Sequence, residues 1–173
     1  RRVLFRSPEQ AELRVVDHAQ VRYVSRGGLK LEAGLQGMSW SVTGQQCLDV
    51  GQSTGGFTDC LLQMGARLVV GIDVGSAQLH PRLRDDPRVV CIEKCNARHL
   101  TPADLTTALM AHKADEAQAR GATVAALAPV FDLVVMDVSF ISQTLVLPAL
   151  MPFFKSGSRL LSLVKPQIGR AHV

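Results

Sequence analysis

The chain has 173 residues, 47% of them apolar, with 19 Lys and Arg against 15 Asp and Glu, a formal net charge of +4 and a pI near 9.1. That length suits one domain with a substantial core, and no apolar run approaches the roughly 20 residues that a membrane-spanning helix needs. The four cysteines, Cys47, Cys60, Cys91 and Cys95, form no C-x₂-C pair, which argues against a zinc site and fits reduced, buried thiols in a cytoplasmic protein.

At the N-terminus, Arg1 to Ser7 is encodable by DNA whose reverse complement encodes the other end, Ile168 to Val173. The two ends resemble translated sequencing adapter, so residues 1–7 and 168–173 are set aside as scars and the natural termini are expected to lie outside this chain. Arg1, Arg2, Arg6 and Arg170 fall in these ends and no Asp or Glu does, which leaves 15 cations against 15 carboxylates. The basic pI is therefore no argument for nucleic-acid binding. A local basic rim remains conceivable from Arg22, Arg26, Lys30 and Arg98, offset by Glu9, Glu12, Asp17 and Glu32.

Residues 8–43 read as a linker followed by a capped helix from Ser25 that turns Leu31 and Leu35 inward, with Lys30 near its start. Residues 44–167 form the main domain. An apolar strand, Gln46 to Val50, carries Asp49 and empties into Gly51-Gln52-Ser53-Thr54-Gly55-Gly56-Phe57, and a helix follows over 56–64. A second strand, Arg67 to Val74, ends in Asp73 and Val74, 24 residues beyond Asp49.

The glycine spacing is neither G-x-G-x-x-G nor that of a phosphate-binding P-loop. A glycine turn with an acid on each of two strands instead suits S-adenosylmethionine, which has a ribose and an adenine but no phosphate. Gly51, Ser53, Thr54 and Gly55 would surround its methionine part, flanked by Asp49, Gly56 and Phe57, while Asp73 would hold the ribose with Val74 beside it.

A third strand spans Arg88 to Glu93, and Asn96 behind it is either a turn former or a contact to the adenine. Thr101 caps a helix with Pro102 in its first position, and the Ala-rich stretch His112 to Pro129 reads as a helix extension or surface insertion. Phe131 to Asp137 is a fourth strand, Ser142 to Leu150 a helix and Arg159 to Val164 a fifth strand. Near-continuous apolar strands alternating with helices predict an α/β fold, a mostly parallel sheet covered on both faces.

Four stretches then stand together in order: Ser25-Arg26-Gly27-Gly28-Leu29-Lys30, Asp49-Val50-Gly51 to Gly55-Gly56-Phe57-Thr58-Asp59, Met136-Asp137-Val138-Ser139-Phe140-Ile141-Ser142, and Leu163-Val164-Lys165-Pro166-Gln167. In these the chain resembles the TlyA group of haemolysin-named, FtsJ-like ribosomal RNA 2′-O-methyltransferases. The resemblance implies a Rossmann-like methyltransferase fold whose C-terminal strands lie beyond this chain. It also implies a Lys-Asp-Lys-Glu tetrad, with Lys30, Asp137 and Lys165 as its first three members and the Glu on a later strand. Cytidine riboses of ribosomal RNA would be the substrate, reached with the help of an S4-type RNA-binding domain upstream. No metal is called for, and a monomer is favoured.

The chemistry agrees with that mapping. A ribose 2′-hydroxyl is a weak nucleophile at neutral pH, so it must be positioned and relieved of its proton. Lys165, beside a second cation, could accept that proton, with Asp137 orienting it and Lys30 helping to hold the RNA. Two other readings stay open: a membrane-active haemolysin, which lacks any spanning segment, and a methyltransferase for a non-RNA substrate, which would have no need of Lys30, Asp137 and Lys165 together.

Overall fold

The computed structural model describes residues 22–120, 129–139 and 141–164, the side chains of 113–120 apart. In chain order the elements are α1 (Gly27–Gly37), β1 (Gln46–Val50), α2 (Gly56–Gln63), β2 (Leu68–Ile72), the short α3 (Pro81–Arg84), β3 (Val89–Ile92), α4 (Pro102–Arg120), β4 (Phe131–Met136), α5 (Gln143–Leu150) and β5 (Phe154–Ser162). Short 3₁₀ turns at Ala97–His99 and Met151–Phe153 complete the set among the described residues.

Side chains alternate across each strand, and both faces of the sheet are covered, so β1 and β2 are buried along their whole lengths. Cys47, Val69, Leu133 and Val135 pack with Leu31, Leu35, Phe57 and Leu61 of α1 and α2. Their neighbours Leu48, Val70, Val134 and Met136 pack on the other face with Leu105, Leu109, Val146 and Leu150 of α4 and α5. Burying a leucine such as Leu31 or Leu35, both fully shielded from solvent, contributes about 1.5–3 kcal/mol.

All pairings are parallel, in the order β3-β2-β1-β4-β5. The chain winds outward from β1 through β2 to β3, then returns to place β4 on the other side of β1. That reversal opens a crevice beyond the carboxyl ends of β1 and β4, the place where open α/β sheets hold ligands.

The expected strands and helices are present, with two local corrections, and α3 is an addition the sequence did not signal. The helix expected from Ser25 begins at Gly27, and its N-cap, Arg26, makes no side-chain cap; the Gly28 N–H donates instead to the Ser25 carbonyl at 3.2 Å. The fifth strand starts at Phe154 rather than Arg159 and ends at Ser162. Phe131 pairs with Phe154 and Leu133 with Arg159, so residues between them bulge out through Gly157 at φ +83°, pinned where Ser158 Oγ donates to the Phe131 carbonyl at 2.6 Å. Those polar residues carry no strand pattern, which is why only the regular part was legible. The helix from Pro102 extends to Arg120 and takes in the first part of the Ala-rich stretch, while residues 121–128 lie outside the described residues. Its start is as expected: Thr101 Oγ1 accepts the Asp104 N–H, and Asp104 Oδ2 accepts from the Thr101 N–H at 2.9 Å.

Candidate active site

Beyond the end of β1 the chain turns at Gly51, whose φ of +87° is a left-handed conformation that side chains resist. A Cβ there would lie 2.9 Å from the Asp137 carbonyl, so glycine also lets the ends of β1 and β4 approach. The next residue, Gln52, is buried: its side chain covers Gly71 and its Nε2 donates to Thr58 Oγ1 at 2.9 Å. Ser53 then presents its N–H to Asp73 Oδ2 at 2.7 Å, which ties the turn to the carboxylate after β2.

Gly56 opens α2 against the entry to α1, because a Cβ at that position would meet Ser25 Oγ at 2.2 Å and the Gly28 nitrogen at 3.0 Å. The first two sequence motifs are therefore two halves of one close contact. Lys30 rides on the helix so docked, exposed to solvent.

A cavity of about 510 Å³ lies over this edge. From the expected residues it gathers Gly51, Ser53, Asp73, Val74, Asn96 and Asp137. Asp49, Thr54, Gly55, Gly56, Phe57 and Lys30 lie outside its lining, and Lys165 lies outside the described residues. Asn96 Oδ1 accepts the Arg98 N–H at 3.1 Å, capping the 3₁₀ turn, and the residue also lines the cavity. Ile72, Ala97, Ile141 and Val146 add apolar walls, and Gln78 and Ser139 polar ones. Val146 carried a signal in the inward spacing of its helix, whereas nothing in the sequence singled out Gln78. No Lys or Arg is among the described lining residues.

Asp49 is two register positions deeper than the edge. It pairs with Gly71 of β2, is fully buried, and accepts a hydrogen bond from Thr58 Oγ1 at 2.7 Å. It holds the helix that follows the turn and does not face the cavity. Burial raises its carboxyl to about 7, against the opposing effect of the Thr58 hydrogen bonds. The folded chain therefore retains a proton on Asp49 between about pH 4 and about pH 7 that the unfolded chain has released. Its contribution to stability is full below that window and is lost as pH rises through about 7. Urea unfolding across this range is expected to show a falling stability that Asp49→Asn flattens; an unaltered slope in the variant would remove the assignment.

Of the expected basic rim, Arg22 pairs with Glu32 at 2.6 Å while Arg26, Lys30 and Arg98 are exposed and make no ion pair among the described residues. The four cysteines are free, and burial pushes Cys47 up to about 12 and Cys60 to about 11, so both stay protonated and unreactive. No described helix is long and apolar enough to cross a membrane.

With the geometry in place, comparison with known proteins is direct. The family model for FtsJ-like methyltransferase matches residues 23–171. The 16S/23S rRNA (cytidine-2'-O)-methyltransferase TlyA of Mycobacterium tuberculosis is 44% identical over 163 residues, covering 93% of this chain and 53% of that protein. Hemolysin A of Brachyspira hyodysenteriae is 39% identical over 147 residues, 85% of this chain and 52% of its own length. A solved structure named "Putative hemolysin from Streptococcus thermophilus" superposes with a TM-score of 0.71 at 42% identity, covering 86% of this chain and 47% of that one. The chain thus spans about half the length of the relatives it matches.

Proposed function

This chain belongs to the FtsJ-like methyltransferase family, and from that premise we propose that it binds S-adenosylmethionine at the carboxyl edge of its sheet and methylates ribose 2′-hydroxyls of ribosomal RNA, at cytidine. The observation that carries the cofactor reading is the cavity itself. It joins a carboxylate fit for a ribose, Asp73, to apolar walls fit for an adenine, and its described lining offers no cation for a phosphate. The donor set thus fits an adenosyl nucleoside without phosphates. When bound, S-adenosylmethionine supplies an electrophilic methyl on a sulfonium.

In this reading each residue has a role. Asp73 accepts from the ribose hydroxyls, Val74 and Ile141 flank the base, and Asn96 reads its edge. Gly51 and Ser53 leave room for the methionine part, while Asp49, Thr54, Gly55, Gly56 and Phe57 keep the turn in shape from behind. Asp137, at the cavity, orients Lys165, which takes the proton from the attacking hydroxyl, and Lys30 and Arg26 hold the RNA from the docked helix. Support for the RNA substrate comes from the similarity to the 16S/23S rRNA (cytidine-2'-O)-methyltransferase of M. tuberculosis.

The test is methyl transfer from S-adenosylmethionine to ribosomal RNA by the protein extended to its relatives' length, with the modified nucleotide mapped. A methyl on a cytidine 2′-oxygen is the expected product. A methyl on a base, or on protein but not RNA, would overturn the reading.

A further inference from the structure

The loop between β2 and α3 forms one wall of the cavity, and its shape is over-determined for a connection of this length. Asp73 Oδ1 accepts the Gly75 N–H at 2.7 Å, and the Gly75 carbonyl accepts the Lys94 N–H at 3.0 Å from the neighbouring loop. Ala77 sits at φ +55°, a left-handed conformation that a residue with a Cβ resists. It is held there by Glu93 Oε1, which accepts the Ala77 N–H at 2.9 Å while Arg84 donates to the same oxygen at 2.8 Å.

What this bend delivers is the next side chain, Gln78. It lines the cavity, is exposed, and makes no hydrogen bond to another described residue. Its amide and the Asp73 carboxylate border the same space over Gly75: a Cβ placed there would be 2.3 Å from Gln78 Nε2 and 3.1 Å from Asp73 Oδ1.

The two groups complement each other. Asp73 is acceptor-only, and Oδ2 and Oδ1 already receive the Ser53 and Gly75 N–H groups, leaving one lone-pair direction on each for sugar hydroxyls. A ribose diol also has oxygen lone pairs that need donors, and a carboxylate cannot supply one. An amide N–H beside it can.

We propose that Gln78 donates a hydrogen bond to one ribose hydroxyl oxygen of an adenosyl nucleoside in this cavity, making it a second reader of the sugar alongside Asp73. The inference rests on the S-adenosylmethionine reading above. It is tested by calorimetric titration of the 173-residue chain with S-adenosylhomocysteine and with its 2′-deoxy and 3′-deoxy analogues, comparing the unchanged chain with Gln78→Ala and Gln78→Glu. Gln78→Ala is expected to weaken S-adenosylhomocysteine binding by about 3- to 10-fold, the net worth of one such bond, with no further loss for the analogue lacking the hydroxyl it serves. Gln78→Glu should bind more weakly still, because it sets a second carboxylate beside Asp73. Thermal melting of both variants should match the unchanged chain. Unaltered binding by Gln78→Ala, or the same fold-loss for all three ligands, would overturn the inference while leaving the cofactor reading in place. Failure of the unchanged chain to bind S-adenosylhomocysteine would remove both.

Discussion

Replacing Lys165 by Ala is expected to lower methyl transfer to RNA by about 10²- to 10⁴-fold while leaving S-adenosylmethionine binding intact, as loss of a general base does. The expectation starts from the nucleophile. A ribose hydroxyl keeps its proton at neutral pH, so the reaction needs an acceptor within hydrogen-bond reach and in the right protonation state. A lysine qualifies only where burial or a neighbouring cation lowers its pKa.

Met136 pairs with Ser162, and the Leu163 N–H donates to the Met136 carbonyl at 2.9 Å, so the end of β5 runs beside the strand that delivers Asp137. Gln143 Nε2 pins the same strand end by donating to the Leu163 carbonyl at 2.6 Å. Lys165→Arg separates charge from proton transfer, since a guanidinium stays protonated and cannot act as base. Both variants should be inactive yet bind cofactor, measured by product formation and titration on the extended protein. Activity in Lys165→Ala within a fewfold of the unchanged enzyme would sink the assignment.

Gly51→Ala is expected to cost about 2–5 kcal/mol of stability and to abolish cofactor binding. Two independent penalties add. A Cβ in the left-handed region costs about 1–2 kcal/mol, and forcing it 2.9 Å from the Asp137 carbonyl adds the roughly 1–3 kcal/mol of an overpacked contact. The collision pushes apart the two strand ends that frame the cavity, which is why binding should fail along with stability. Gly157→Ala is the natural control: its φ of +83° is equally left-handed, but nothing lies within 4 Å of the added Cβ. Urea unfolding should show Gly157→Ala losing only the backbone part. Equal losses in the two variants would mean that the contact with β4 carries no weight.

Much of this was legible in the residues. The strands announced themselves as apolar runs because a sheet covered on both faces needs no polar alternation, and the glycine turn after Val50 and the acid at Asp73 were visible as spacing. Asp49 and Asp73 nevertheless looked alike in the sequence, each an acid at the end of an apolar strand. Their fates diverge through register. Asp49 pairs with Gly71, so Asp73 comes level with Gly51, two residues or about 6–7 Å nearer the edge than Asp49. One carboxylate therefore reaches the cavity while the other is sealed beneath α2 and pushed towards neutrality.

Gln78 makes the same point from the other side. Local pattern cannot single it out, because its placement depends on a strained residue held by Glu93, 16 positions away in the chain. The docking of Gly28 against Gly56 is likewise invisible until two segments meet. Periodicity and turn chemistry are local and survive in a linear reading, so fold class, the glycine turn and the family were present in the residues alone. Depth within the sheet, the aim of a side chain and the contact between distant glycines are sums over several strands and loops, and they exist only once the chain has folded.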